Sequence, residues 1–269
     1  MCIRDSHSWD NKFVKMNLER MGKKVIEMEH GDEFEISNGF KLHVYAADGC
    51  DPKECFKFFG CGKLTPLDKS VGIDTFSVLT ADNKKIIQIN DCQFPLTEKT
   101  ITAVKKEFGD IDLLLVGYTG AGSYPQCWTD YSESDKINKY GEVKRQKFLD
   151  WGMGFLNILK PKHYMPYAGT YTLCGPMGEL EKFKCTPELT DALKYFTNHY
   201  GNGGFLLNPK ESFDLITEKC SSEYKHYDIE ERYNYIENIL SKEKLDYDDD
   251  YDVSLDAVSY TNLTMPTKD

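Results

Sequence analysis

Apolar positions along this chain change their period several times, and each change marks an element. Lys84–Asn90 (KKIIQIN) alternates into a continuous apolar run, the signature of a buried strand. Thr97–Phe108 carries Ile101, Val104 and Phe108 at the spacing of one helical face, and Gly109 stops it. Ile111–Val116 is again a short apolar run between glycines, and predicts a central strand. The unit is β-α-β, so its two strands are expected to be parallel neighbours. Both end in polar or conformationally special residues: Asn90-Asp91-Cys92 after the first, Gly117–Gln126 after the second.

The flanking sequence follows the same logic. Asp10–Met21 predicts an amphipathic helix, and Val25–Met28, Glu33–Ile36 and Phe40–Ala46 predict short strands separated by Gly turns. In the last of these, Phe40, Leu42, Val44 and Ala46 alternate with Lys41, His43 and Tyr45, which predicts a wetter second face and a surface role for His43. Ala47–Gly72 has no clear period and reads as a long loop. Thr75–Thr80 predicts a strand, Asn138–Leu159 a long helix ended by Lys160-Pro161, and His163–Met165 a short strand. Pro187–Tyr200 predicts a helix, GGFLLNPKESFDLI two short closing strands, and Asp228–Glu243 a final amphipathic helix before the acidic stretch Leu245–Asp252.

Composition narrows the class. The 269 residues are 40% hydrophobic and 13% aromatic, enough to bury a sizeable core. A formal charge of -11 argues against nonspecific nucleic-acid or anionic-membrane partners, and no apolar run has the length of a membrane span. Nine irregularly spaced cysteines without a secretion signal read as reduced thiols of a cytoplasmic protein. The spacings of Cys50, Cys55 and Cys61 are not those of a zinc knuckle.

Candidate chemistry gathers after the two central strands, because ligands of parallel sheets bind where loops leave the carboxyl ends. An acid such as Asp91, leaving a buried strand, needs a metal, a helix N-terminus or water as partner. An Asp in this place also commonly just opens a turn. In the loop Tyr118–Trp128, Gly120 and Gly122 allow close approach of backbone to a ligand. Tyr118, Ser123, Tyr124 and Gln126 offer hydrogen bonds and a stacking face to a substrate, although such a loop can equally be packed by its own aromatics.

INDCQ followed by a helix, then DIDLLLVGYTGAGSYPQCW and KPKHYMPYAGTY, resembles the metallo-β-lactamase-fold superfamily from about Phe13 to about Leu240. The branch it resembles contains the C-terminal region of CMP-N-acetylneuraminate hydroxylase and bacterial metallo-hydrolase-like proteins. The resemblance implies an α/β (α+β) fold, an αββα sandwich, here incomplete at its N-terminus. It also implies a divalent metal (zinc, manganese or iron) held by Asp91, with Asp48 as a second candidate ligand and Asp74 and Asn90 supporting the ligands from behind. Where metal-binding relatives place a histidine two residues after the proline of KPKHYMPYAG, this chain has Ala168. The superfamily motif HxHxDH does not occur in the 269 residues, and His163 is expected to point away from the site.

Both ends read as foreign. Met1–Ser6 (MCIRDS) resembles a translated sequencing adapter, and VSYTNLTMPT, within 257–269, resembles the opposite strand of one, leaving 7–256 as the partial domain of a metagenomic fragment. The function expected from this resemblance is metal-dependent hydrolysis of a small or phosphorylated metabolite by the intact protein. Two alternatives stand beside it: a substrate-binding or structural module working with a redox domain or protein partner of an oxygenase, and a noncatalytic scaffold.

Overall fold

The computed structural model describes residues 13–47, 74–89, 92–120, 122–167 and 171–244. Asp48, Cys50, Cys55, Cys61, Asn90, Asp91, Ala168 and the two adapter-like ends lie outside these residues. The chain divides into two compact units. The first comprises Met1–Gly122, Glu142–Thr170 and Thr186–Lys225; the second comprises Ser123–Gly141, Tyr171–Cys185 and His226–Asp269.

The first unit is a mixed α/β structure built on one six-stranded sheet, in the order β1 (Glu33–Ser37), β2 (Phe40–Ala46), β3 (Thr75–Ala81), β4 (Lys84–Gln88), β5 (Leu113–Gly117) and β6 (His163–Tyr167). The first four strands form an antiparallel meander. β4, β5 and β6 are parallel neighbours, as the β-α-β pattern requires. The crossover from β4 to β5 is helix α2 (Phe94–Phe108), which starts earlier than its periodicity predicts, with a proline in its first turn. Helix α4 (Gly141–Leu159) returns the chain to β6, and α5 (Leu189–His199) follows.

Cross-strand register sorts the strand residues onto two faces. Tyr45, Phe76, Val78, Ile87, Ile89, Leu114, Val116 and Tyr164 share one face and are all buried. Onto it pack Ile101 and Val104 of α2, Phe155, Leu156 and Leu159 of α4, and Ala192 and Phe196 of α5, forming the core of the unit. Two glycines let α4 come this close. A Cβ on Gly152 would stand 2.4 Å from Phe196, and one on Gly154 2.5 Å from Phe94.

Several expectations need correction. The face of β2 bearing His43 and Tyr45 is not the wet one, because α2 covers it: the His43 ring stands 5.0 Å from Phe108, its side chain is 13% exposed, and it shares a hydrogen bond with Thr80. Val25–Met28 is not a strand; among the described residues β1 is the sheet edge, and pairing stops there. GGFLLNPKESFDLI supplies a parallel bridge from Gly204 to Tyr164 and only one strand, β7 (Phe213–Asp214), which pairs with β8 (Lys219–Cys220). That hairpin packs on the second face of the sheet, where Phe213 lies 5.1 Å from the ring of His163.

In the second unit the helical run begins before Asn138. Ser132 caps the short helix α3 (Glu133–Asp135) by accepting the Asp135 amide, and a wide turn over Lys136–Tyr140 follows. Gly175–Phe183 is a 3-10 segment that periodicity did not announce. Helix α6 (Ile229–Asn238) starts at Asp228, whose carboxylate accepts the amides of Glu230 and Glu231. First-unit helix α1 spans Phe13–Arg20. No helix among the described residues is long and apolar enough to cross a membrane.

Candidate functional site

Strand direction decides where the polar ends of the first unit fall. β2 runs antiparallel to β3, and β3 to β4, so β2, β4, β5 and β6 all point the same way. Ala46 pairs with Thr75, and the amide of Ala47 donates to the carbonyl of Asp74 at 2.9 Å. The end of β2, the start of β3, and the ends of β4, β5 and β6 therefore line one edge of the sheet. Ala47, Asp74, Ile89, Tyr118 and Tyr167 are the described residues at that edge. Chain positions 48, 90–91 and 168 follow directly on three of them, outside the described residues.

Burial has shaped the chemistry here. Asp74 is buried, as is Cys92, whose amide donates to Ile89 at 3.3 Å. Tyr118 is 4% exposed, and burial, with smaller contributions from Glu188 and Tyr224, pushes its phenol up to about 12. It stays neutral and can donate a hydrogen bond at any physiological pH. The buried hydroxyl of Thr119 meets no hydrogen-bond partner among the described residues.

The chain leaving β5 runs back along α4. The carbonyl of Gly117 faces Gly152, Gly120 faces the ring of Phe148, and the carbonyl of Gly122 accepts from the buried Lys144 ammonium at 3.0 Å. A Cβ on Gly120 would meet Phe148 at 2.9 Å, so the small residue is needed for this close seating.

Two groups, one beside the loop that follows β5 and one at the edge, escaped the sequence reading. Lys144 looked like one charge on a helix, and only the chain path beside it reveals its burial. His30, expected in a plain turn, sits at the end of β2 because antiparallel pairing with β2 continues past Glu33. Its Nδ1 accepts the Ala46 amide at 3.0 Å. That tautomer carries its proton on Nε2, so the ring presents a donor rather than a lone pair. A metal-ligating histidine shows the opposite arrangement, donating through the nitrogen that does not bind the ion.

The remaining sequence candidates fall in the second unit. Ser123 is exposed and Tyr124 half-buried. Tyr124 is the hub of an aromatic cluster, edge-on to Trp128 at 5.2 Å, Tyr131 at 6.1 Å and Tyr140 at 6.1 Å; burial first, then Tyr131, raises its phenol to about 12. Gln126 is fully buried. Its amide nitrogen donates to Leu180 and its oxygen accepts from Tyr171. Beside it Glu181, with 2% of its side chain exposed, accepts from Lys184 at 2.9 Å and pairs with Arg232 of α6. These bonds tie the segments of the second unit together and occupy the polar atoms of Gln126. His163, at the opposite end of β6 from Tyr167, faces Glu218 at 3.3 Å.

Among the described residues no three His, Cys, Asp or Glu side chains stand close enough to hold a metal ion. The described donors at the edge, one buried carboxylate and a histidine whose Nδ1 is taken by the Ala46 amide, do not by themselves complete a metal centre.

No protein-family model and no curated protein matches the chain. Among solved structures it is similar to a variant of the CmlA beta-hydroxylase, with 13% identity and a TM-score of 0.41 over 71% of this chain and 34% of that one. CmlA itself, a diiron beta-hydroxylase from Streptomyces venezuelae, gives 10% identity and a TM-score of 0.40 over 70% and 34% of the two chains. A protein from Parabacteroides distasonis provisionally described as a metal-dependent hydrolase gives 16% identity and 0.35 over 71% and 60%. The chain thus spans about a third of the CmlA chains it matches.

Proposed function

We propose that this chain is a metallo-β-lactamase-type module that takes a small anionic metabolite at the carboxyl edge of its sheet. The observation that supports this reading is the delivery of five strand termini, and the chain positions leading to Asp48 and Asp91, to a single edge. The donors there suit an anion: the Nε2–H of His30 and the neutral phenol of Tyr118. In the intact protein we assign metal-dependent hydrolysis of a phosphorylated or otherwise anionic metabolite, with Asp91 and Asp48 as metal ligands, and with Asp74 and Asn90 behind them.

A second reading draws on the missing donor cluster. Without HxHxDH in the sequence, with Ala168 in the histidine position, and with no three-donor group among the described residues, the module would bind substrate beside a redox domain that carries the chemistry. Calorimetric titration of this chain with zinc and manganese tests the assignment. One or two ligands supply a small part of the roughly 10 kcal/mol or more of a complete structural site. The expected result is weak uptake, reduced further in Asp91→Ala. Tight stoichiometric uptake abolished by changing Cys50, Cys55 or Cys61 instead would place the metal elsewhere.

A further inference from the structure

The hairpin β7–β8 meets the sheet at the amino end of β6. Phe213 of β7 stacks on Phe205 at 4.1 Å and stands 5.1 Å from the ring of His163. The turn between the two strands is braced from within. The Asp214 carboxylate accepts the amides of Ile216 and Thr217, and the Asp214 carbonyl accepts that of Glu218 at 2.7 Å. Glu218 closes the turn at φ +58, a conformation in which glycine or asparagine is the usual residue. A glutamate held there brings its carboxylate back onto β6. One oxygen pairs with Lys162, and the other lies 3.3 Å from Nε2 of His163.

That nitrogen lacks a bond it is placed to make. The His163 side chain is 16% exposed, and its buried Nε2 meets no hydrogen-bond partner among the described residues. A neutral ring protonated on Nδ1 turns a lone pair toward the carboxylate, and a buried polar atom left so weakens the contact. Protonation puts an N–H there and converts the approach into a charge-assisted hydrogen bond. Histidine is the side chain that changes charge between about pH 5 and 8. The acceptor is ready throughout that range, because Lys162, with a smaller contribution from His163, holds the Glu218 carboxyl below its usual value. Among the described residues, the other charges around this corner are engaged or turned to solvent. Asp112, whose carbonyl accepts the His163 amide, binds Lys84 and the Lys85 amide through its carboxylate. Asp214 is engaged in the turn, and Lys219 is exposed.

We propose that His163 and Glu218 form a proton-operated latch, which fastens the β7–β8 hairpin to β6 at mildly acidic pH and loosens it at alkaline pH. The latched state holds the ring proton more tightly than the open one. The added hold is therefore complete at the acid end of the window and is lost as pH rises. The latch lies at the end of β6 remote from Tyr167, and it is independent of what the carboxyl edge binds.

Amide hydrogen exchange of the whole chain, corrected for the intrinsic rate at each pH, reads the latch through Glu218 and Ser221, whose amides donate to Asp214 and Ser212 across the hairpin. The expected result is protection roughly fivefold higher near pH 5.5 than near pH 8, the equilibrium equivalent of one ordinary hydrogen bond. The amide of Ile89, bonded to Leu115 in the sheet, should show no such difference. His163→Gln and Glu218→Gln should each bring the ratio to about one. Lys162→Met, which removes only the neighbouring ion pair, should lower protection at both pH values and keep the ratio. Should a variant fail to fold, the wild-type ring decides: nitrogen-15 spectra should show His163 gaining its second proton over the same pH interval in which hairpin protection rises. Equal protection at the two pH values, a ratio unaffected by both glutamine substitutions, or a rise in protection out of step with ring protonation would each overturn the proposal.

Discussion

Tyr118 is where a single residue carries most of the argument about the site. It leaves β5 at the carboxyl edge, and burial moves its phenol from 10.0 to about 12. A folded-state value above the unfolded one means that the folded protein holds this proton more tightly. The corresponding stability is complete below pH 10 and disappears as pH rises toward about 12. Ultraviolet titration should show a group of tyrosines ionising late, Tyr118 and Tyr124 among them, and Tyr118→Phe should lower the amplitude of that late phase by one phenol and reduce the loss of stability over the same range. Titration of Tyr118 near 10 would mean that the edge is open to water. The phenol itself could be read from the sequence as a loop aromatic, but its burial could not, since the core it joins is assembled from distant segments that include Ile89, Phe155 and Phe196. His30 is the converse case: a turn residue by pattern, moved to the site by strand register alone.

At the scale of elements, packing distances test whether α4 is truly the wall against which the β5 loop is seated. Gly152 is a helix-interior glycine, and replacing it with alanine would ordinarily gain about 1 kcal/mol of helix propensity. Here the new methyl would meet the fully buried Phe196 ring at 2.4 Å and the Gly117 carbonyl at 3.2 Å. Overpacking of this kind costs about 1–3 kcal/mol, so Gly152→Ala should lower the urea midpoint rather than raise it. An unchanged or raised midpoint would show that α4 does not approach β5 so closely. The β-α-β unit, β2 and β3 were well marked because their apolar runs are short, alternating and bounded by turn residues. The 3-10 segment Gly175–Phe183 was not, because its order rests on long-range polar contacts such as Glu181 with Arg232, which leave no periodic trace. Val25–Met28 failed for the related reason that a strand needs a partner as well as a pattern. The wetter face expected for β2 failed because alternation marks two faces without saying which one a helix will cover.

For the whole molecule, the central claim is that one edge of one sheet is where this protein meets its ligand. Strand direction made that edge predictable from sequence order. The same directionality offers a direct test that tolerates weak binding. Manganese added in small amounts to isotope-labelled protein broadens the amide signals of residues near any bound ion. The account predicts that the amides of Ala47, Asp74, Ile89, Tyr118 and Tyr167 lose intensity together, that those of Lys84, Asp112 and His163 at the opposite edge do not, and that Asp91→Ala abolishes the pattern. Broadening centred on the acidic stretch Leu245–Asp252, on Glu181 and its neighbours, or on the opposite edge of the sheet would contradict it.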